Sequence, residues 1–223
     1  PMRDHRICFD EVRPYPHLMS LGYLVHDFEY MCNQLKPTSR LILVDMGASL
    51  SFHRPDKNSS TGIGGHKIKV PPLISLLELY ERFGFRFDHI YGFEAKPADP
   101  NVVYEDLLPK KYIPSYHWIN AGVSAGADHK MNPLHSIVSQ YDTDDLIVVK
   151  LDIDTPEIEV PLAQQILNNE TYRNLVDQFY FEHHVHLHEL RYGWKTSMTG
   201  TIRDTLTLFT ELRRGGVAAH FWP

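Results

Sequence analysis

Four apolar runs in this chain end on acidic or imidazole side chains. Leu41-Ile42-Leu43-Val44 leads into Asp45, and Ile90-Tyr91-Gly92-Phe93 into Glu94. Leu146-Ile147-Val148-Val149-Lys150-Leu151 leads into Asp152 and Asp154, and Phe179-Tyr180-Phe181 into Glu182, His184, His186 and His188. Continuous apolar runs of this length suit strands covered on both faces. Helical patterns separate them, so the expected fold is α/β, a mostly parallel sheet with helices on both faces. In such sheets ligands bind beyond the carboxyl ends of the strands, which is where this chain concentrates its ionisable groups.

Further elements are expected between those runs. Leu18, Leu21, Leu24, Val25, Phe28 and Met31 recur at helical spacing, inside an N-terminal helical extension over residues 1–38 that precedes a single domain over 39–223. Pro71-Pro72 opens a helix with Leu73, Ile74, Leu77, Tyr80 and Phe83 on its inner face, and Gly84 ends it. Strands are predicted at 87–94, 116–123, 146–152 and 177–186, and helices at 100–108 and 133–141. Thr155-Pro156-Glu157 predicts a capped helix start. A last helix near 200–213 carries Ile202, Leu206, Phe209 and Leu212 inward, before an edge strand at 217–222. Residues 51–70, rich in Ser, Gly, Asn and Lys, are longer than the usual strand-to-helix loop and are expected to act as a lid.

Charge and composition narrow the partners. With a net charge of −6 and a pI near 6.1, the 223-residue chain has no basic face that calls for nucleic acid. No run reaches the ~20 apolar residues of a membrane helix. Two cysteines, Cys8 and Cys32, leave the redox compartment undetermined. Pro1 and the Phe221-Trp222-Pro223 end read as the limits of a piece of a longer or anchored protein.

The strand-end groups suggest a nucleoside. Gly47, in Asp45-Met46-Gly47-Ala48-Ser49, allows close approach of a ligand to the backbone. Glu94, ending the second strand, suits the paired hydroxyls of a ribose.

Four segments in order carry a resemblance: Leu43-Val44-Asp45-Met46-Gly47-Ala48, Tyr91-Gly92-Phe93-Glu94-Ala95-Lys96-Pro97, Ile119-Asn120-Ala121-Gly122-Val123-Ser124, and Val149-Lys150-Leu151-Asp152-Ile153-Asp154. Together they resemble the FkbM-type branch of S-adenosylmethionine (SAM)-dependent methyltransferases, over roughly residues 41–186. The resemblance implies a Rossmann-like fold of the class I methyltransferase kind and a SAM cofactor. It implies that Asp45, Gly47, Ala48 and Ser49 wrap the methionine end, Glu94 holds ribose, Asn120, Ala121 and Gly122 lie near adenine, and Asp152 faces cofactor and acceptor. The chain departs from the family pattern at Ser51, where a second glycine is usual, and at Asp154-Thr155, where Glu-Gly is usual. Residues 51–70 are a further departure, since the family runs from its first loop straight into a helix.

Two stretches allow other readings. Asp152-Ile153-Asp154 has the form of the DxD element of a metal-dependent nucleotide-sugar glycosyltransferase. A non-catalytic Rossmann-like module is the third reading. If Glu182 to His188 is a strand, Glu182, His184, His186 and His188 share one face. His184 is the candidate base, and Asp152, His184 and His186 the candidate ligands of a divalent metal. The expected activity is methyl transfer to oxygen on a small-molecule or glycan acceptor.

Overall fold

The computed structural model describes residues 25, 28–50, 71–186 and 197–222. Helix α1 (Phe28–Gln34) precedes strand β1 (Leu41–Met46), followed by α2 (Pro72–Arg82), β2 (His89–Phe93) and β3 (Tyr116–Ile119). After α3 (Pro133–Ser136) come β4 (Leu146–Leu151), α4 (Pro156–Asn168), α5 (Glu170–Leu175), β5 (Gln178–Phe181), α6 (Ile202–Arg214) and β6 (Ala218–Phe221).

All six strands lie in one sheet in the order β3-β2-β1-β4-β5-β6, and every neighbouring pair is parallel. The chain builds outward from β1 to β3, then returns to the other side of β1 and builds outward again. This is the doubly wound, Rossmann-like order, and its switch point lies between β1 and β4.

Side-chain alternation divides the core. Leu43, Ile90, Val148 and Tyr180 face α2 and Met31 of α1, where Leu73, Ile74, Leu76, Leu77 and Tyr80 are buried. Ile42, Val44, Ile147, Val149, Phe179 and Phe181 face the opposite way, against Leu162 and Ile166 of α4 and Phe209 and Leu212 of α6. The expected α/β sheet covered on both faces is therefore present.

Several boundaries differ from expectation. β3 stops at Ile119, because Ala121 N–H turns back to the Ile119 carbonyl at 2.8 Å. The helix expected at 100–108 is a π-helical turn over Val102–Leu107, and the one expected at 133–141 splits into α3 and a 3₁₀ turn at Val138–Gln140. Helix α5 was not expected; Asn169 caps it by accepting from Thr171 N–H at 2.9 Å.

Thr155 does not cap α4 through its hydroxyl, which donates to the Ile153 carbonyl instead. On α6, a capping box between Thr201 and Asp204 sets the first turn. The face it buries carries Thr205, Leu208, Phe209 and Leu212, leaving Ile202 and Leu206 exposed.

The largest difference is at β5. It ends at Phe181 rather than running to 186. Glu182 N–H still reaches the Leu151 carbonyl at 3.2 Å, but the chain then pairs with residues 199–200. Thr199 N–H donates to His184 O at 2.8 Å, and His186 N–H to Gly200 O at 3.2 Å. Leu18, Leu21 and Leu24, the 51–70 segment and His188 lie outside the described residues.

Candidate functional site

The carboxyl ends of β1, β2 and β3 are tied together by short backbone contacts. Gly47 and Ala48 both donate their N–H groups to the Phe93 carbonyl, at 3.0 and 2.9 Å. Gly47 adopts φ +99°, and a Cβ there would come within 1.6 Å of the Asp152 carbonyl oxygen. Only glycine fits this contact, because any side chain would collide with the loop after β4. Ser49 N–H closes the turn onto Gly47 O.

Asn120 clamps the next pair of loops. Its side-chain NH₂ donates to the carbonyls of Glu94 and Lys96, at 2.7 and 2.8 Å, and its oxygen accepts from Ala98 N–H. Gly122 approaches Ala95 across the same gap. The Glu94 carboxylate is half-buried and accepts from Lys96 N–H at 2.7 Å, which fixes its orientation at the tip of β2. The residues expected to hold SAM thus gather at the carboxyl end of the sheet. Within that group Asn120 serves as a staple between loops, with its amide committed to backbone.

Beneath these loops lies a line of ionisable groups on one face. Lys150, 1% exposed, places Nζ 3.1 Å from Asp45 Oδ1 and 2.9 Å from Asp152 Oδ2. Burial opposes the Lys150 charge, but the two carboxylates outweigh it and hold the ammonium above its usual range. Asp45 is fully buried, and desolvation raises its pKa despite Lys150. Its second oxygen, Oδ2, has no hydrogen-bond partner among the described residues.

The Tyr116 hydroxyl is buried and equally unpartnered. It lies over Gly92, where a Cβ would come within 2.4 Å of the hydroxyl oxygen and 3.0 Å of Ala48 Cβ. Burial and the nearby Asp45 carboxylate keep this phenol protonated. Among the described residues, two buried polar atoms without partners therefore sit near the carboxyl end of β1, where an unmade hydrogen bond costs about 1–3 kcal/mol.

The line continues from Asp152. Burial works against the Asp152 charge, but Lys150 and a hydrogen bond from Glu182 pull its pKa below the usual range. Glu182 is pushed the other way, to about 7, mainly by burial.

Glu182 Oε1 lies 3.1 Å from His184 Nε2, and Asp154 Oδ1 lies 3.7 Å from His184 Nδ1. Burial disfavours the imidazolium, but the flanking carboxylates more than compensate and raise the His184 pKa. Asp154 reaches this position from a left-handed backbone, φ 56°. Glu159 stands beside the group with 1% exposure, its carboxylate accepting from Ile153 N–H at 2.9 Å. Burial pushes Glu159 up to about 7.

Asp154, Glu182 and His184 can each offer a ligand atom within 4.8 Å of the others, so the structure contains an Asp/Glu/His triad with metal-ligand spacing. The triad shares only His184 with the expected set of Asp152, His184 and His186. Asp152 is engaged by Lys150. His186 is exposed and lies outside the triad, because the chain leaves the sheet after Phe181. Asp152 and Asp154 face different partners, Lys150 and His184.

Lys150, Tyr116, Glu159 and the pairing of Asp154 with Glu182 were not singled out from sequence. A lysine inside an apolar run was the available signal, since buried lysine is almost always paired. Two shallow grooves run along the outer surfaces of α6, between Ile202 and Arg214, and of α4, between Pro161 and Asn168.

Comparison with known proteins matched no protein-family model, no curated protein and no solved structure.

Proposed function

We propose that this protein is a SAM-dependent methyltransferase acting on an oxygen acceptor. The observation that carries the reading is the buried Asp45 Oδ2 at the switch point, without a hydrogen-bond partner among the described residues and beside a glycine loop in left-handed conformation. A carboxylate oxygen so placed accepts from a cationic donor group such as the ammonium of SAM. Glu94 stands one strand away, at the tip of β2, where a ribose diol would be recognised.

In this reading the acceptor lies toward β4 and β5, over Glu182 and His184. Its oxygen attacks the methyl carbon in line with the sulfonium. The new C–O bond forms as the C–S bond breaks, S-adenosylhomocysteine leaves, and the hydroxyl proton passes to the imidazole–carboxylate group. The protein's part is alignment, exclusion of water and removal of that proton.

Calorimetry tests the donor site. SAM and S-adenosylhomocysteine should bind the wild-type chain, and Glu94→Ala should weaken both by at least about tenfold, or ~1.4 kcal/mol, with an unchanged circular dichroism spectrum. Binding of a UDP-sugar in place of either nucleoside would select the glycosyltransferase reading. Binding of none of the three would select a non-catalytic module.

A further inference from the structure

We infer that Asp154, Glu182 and His184 form a site for a first-row divalent transition-metal ion at the carboxyl ends of β4 and β5. The inference is independent of the donor reading, because it concerns a different set of side chains and is tested with no nucleoside present.

The geometry supplies three donors of two kinds from two adjacent strand ends. One ligand atom from each residue lies within 4.8 Å of the others. Metal–ligand bonds of about 2.0–2.3 Å place cis and trans ligands roughly 3–4.5 Å apart, so small side-chain rotations bring this set onto one ion. The backbones that carry the donors are fixed. Glu182 N–H is bonded to Leu151 O, and Thr199 N–H to His184 O. The adjustable member is Asp154, whose side chain is 46% exposed, against 3% for His184.

Carboxylates surround the position: Asp154 and Glu182 flank His184, Glu159 stands beside them, and Asp152 is bound to Lys150 close by. In the metal-free protein the His184 ring lies between two carboxylates. A metal ion bound there takes the place of a proton on one ring nitrogen of His184, and the two carboxylates turn toward it.

One imidazole and two carboxylates suit Mn²⁺, Fe²⁺, Co²⁺ or Zn²⁺ better than Mg²⁺ or Ca²⁺, which prefer all-oxygen shells. Three protein ligands leave positions open on the exposed Asp154 side, as catalytic metal sites require. A hydroxyl bound there would lose its proton near neutral pH.

The test uses the full chain without a histidine tag, stripped with chelator and titrated with Co²⁺ and Mn²⁺. The expected result is about one Co²⁺ per chain, with visible ligand-field absorption and a matching Mn²⁺ signal loss by electron paramagnetic resonance. Asp154→Asn should weaken binding at least tenfold and His184→Ala should abolish the absorption, while His135→Ala, on the distant α3, should change neither. Asp154 is exposed, so Asp154→Asn keeps the test decisive even if His184→Ala unfolds. Absence of binding at millimolar metal, or binding unchanged in Asp154→Asn, overturns the site.

Discussion

Replacing Lys150 with methionine tests the electrostatic arrangement at the switch point. Methionine nearly matches the length of the lysine stem, so the change chiefly deletes the ammonium held 3.1 Å from Asp45 and 2.9 Å from Asp152. At an effective dielectric of about 20, a unit pair at ~3 Å is worth about 5 kcal/mol. Returning the lysine to water offsets part of that loss. The remainder is the cost of leaving buried carboxylates uncompensated, about 3–5 kcal/mol when one partner of a buried pair is removed. That is a large share of the ~5–15 kcal/mol that stabilises a domain.

The penalty should also depend on pH, and the sign follows from Asp45. Burial raises the Asp45 pKa, and losing Lys150 raises it further. Stability from a group with a raised folded pKa is complete below its unfolded value and is lost as pH rises through the folded value. Lys150→Met should therefore be most destabilising near pH 7, and the deficit should shrink as pH falls toward about 4. Urea denaturation of both proteins across this range measures it. The Asp45→Asn/Lys150→Met double variant should recover part of the loss at neutral pH. A single variant within about 1 kcal/mol of wild type at pH 7 would refute the argument, as would a double variant no more stable than the single.

Two further perturbations test neighbouring features. Gly47→Ala should destabilise by at least about 2 kcal/mol, combining a positive-φ penalty with a clash against the Asp152 carbonyl; chemical denaturation checks this, and a neutral result would mean the two loops are not in contact. Glu159, pushed up to about 7 by burial, should lower stability as pH rises from about 4.5 through 7. Glu159→Gln keeps an acceptor for Ile153 N–H, so its stability relative to wild type should improve between pH 4.5 and 8 by up to about 3 kcal/mol; equal pH profiles for the two proteins in thermal melts would count against a buried acid there.

The sheet was legible because its central strands are unmixed apolar runs. Leu41–Val44 and Leu146–Val149 admit few readings other than doubly covered parallel strands. The position of Asp45 and Glu94 at strand ends followed directly. What alternation misread was the stretch after Phe181. Val185 is buried and His184 is buried too, so the period-two pattern fails once the chain leaves β5 to pair with residues 199–200. The partners of Lys150 were hidden for another reason. Asp45 lies 105 residues away, and only the parallel register of β1 with β4 sets the two opposite each other. Asn120 looked like a ligand contact because its segment matched a motif, whereas its amide is spent holding the loops after β2 and β3.

The strand order has a consequence for how the chain is made. Its left half, β3-β2-β1, is complete by residue 119, and its right half, β4-β5-β6, begins only at residue 146. A ribosome extruding this chain presents the open edge of β1, whose backbone N–H and C=O groups have nothing to zip against until β4 emerges. A nascent chain halted between those points would be the species most prone to self-association and the natural client for a chaperone. Two fragments cut near residue 130 would have to find each other across that same seam, and their reassembly would re-form the Asp45–Lys150 contact.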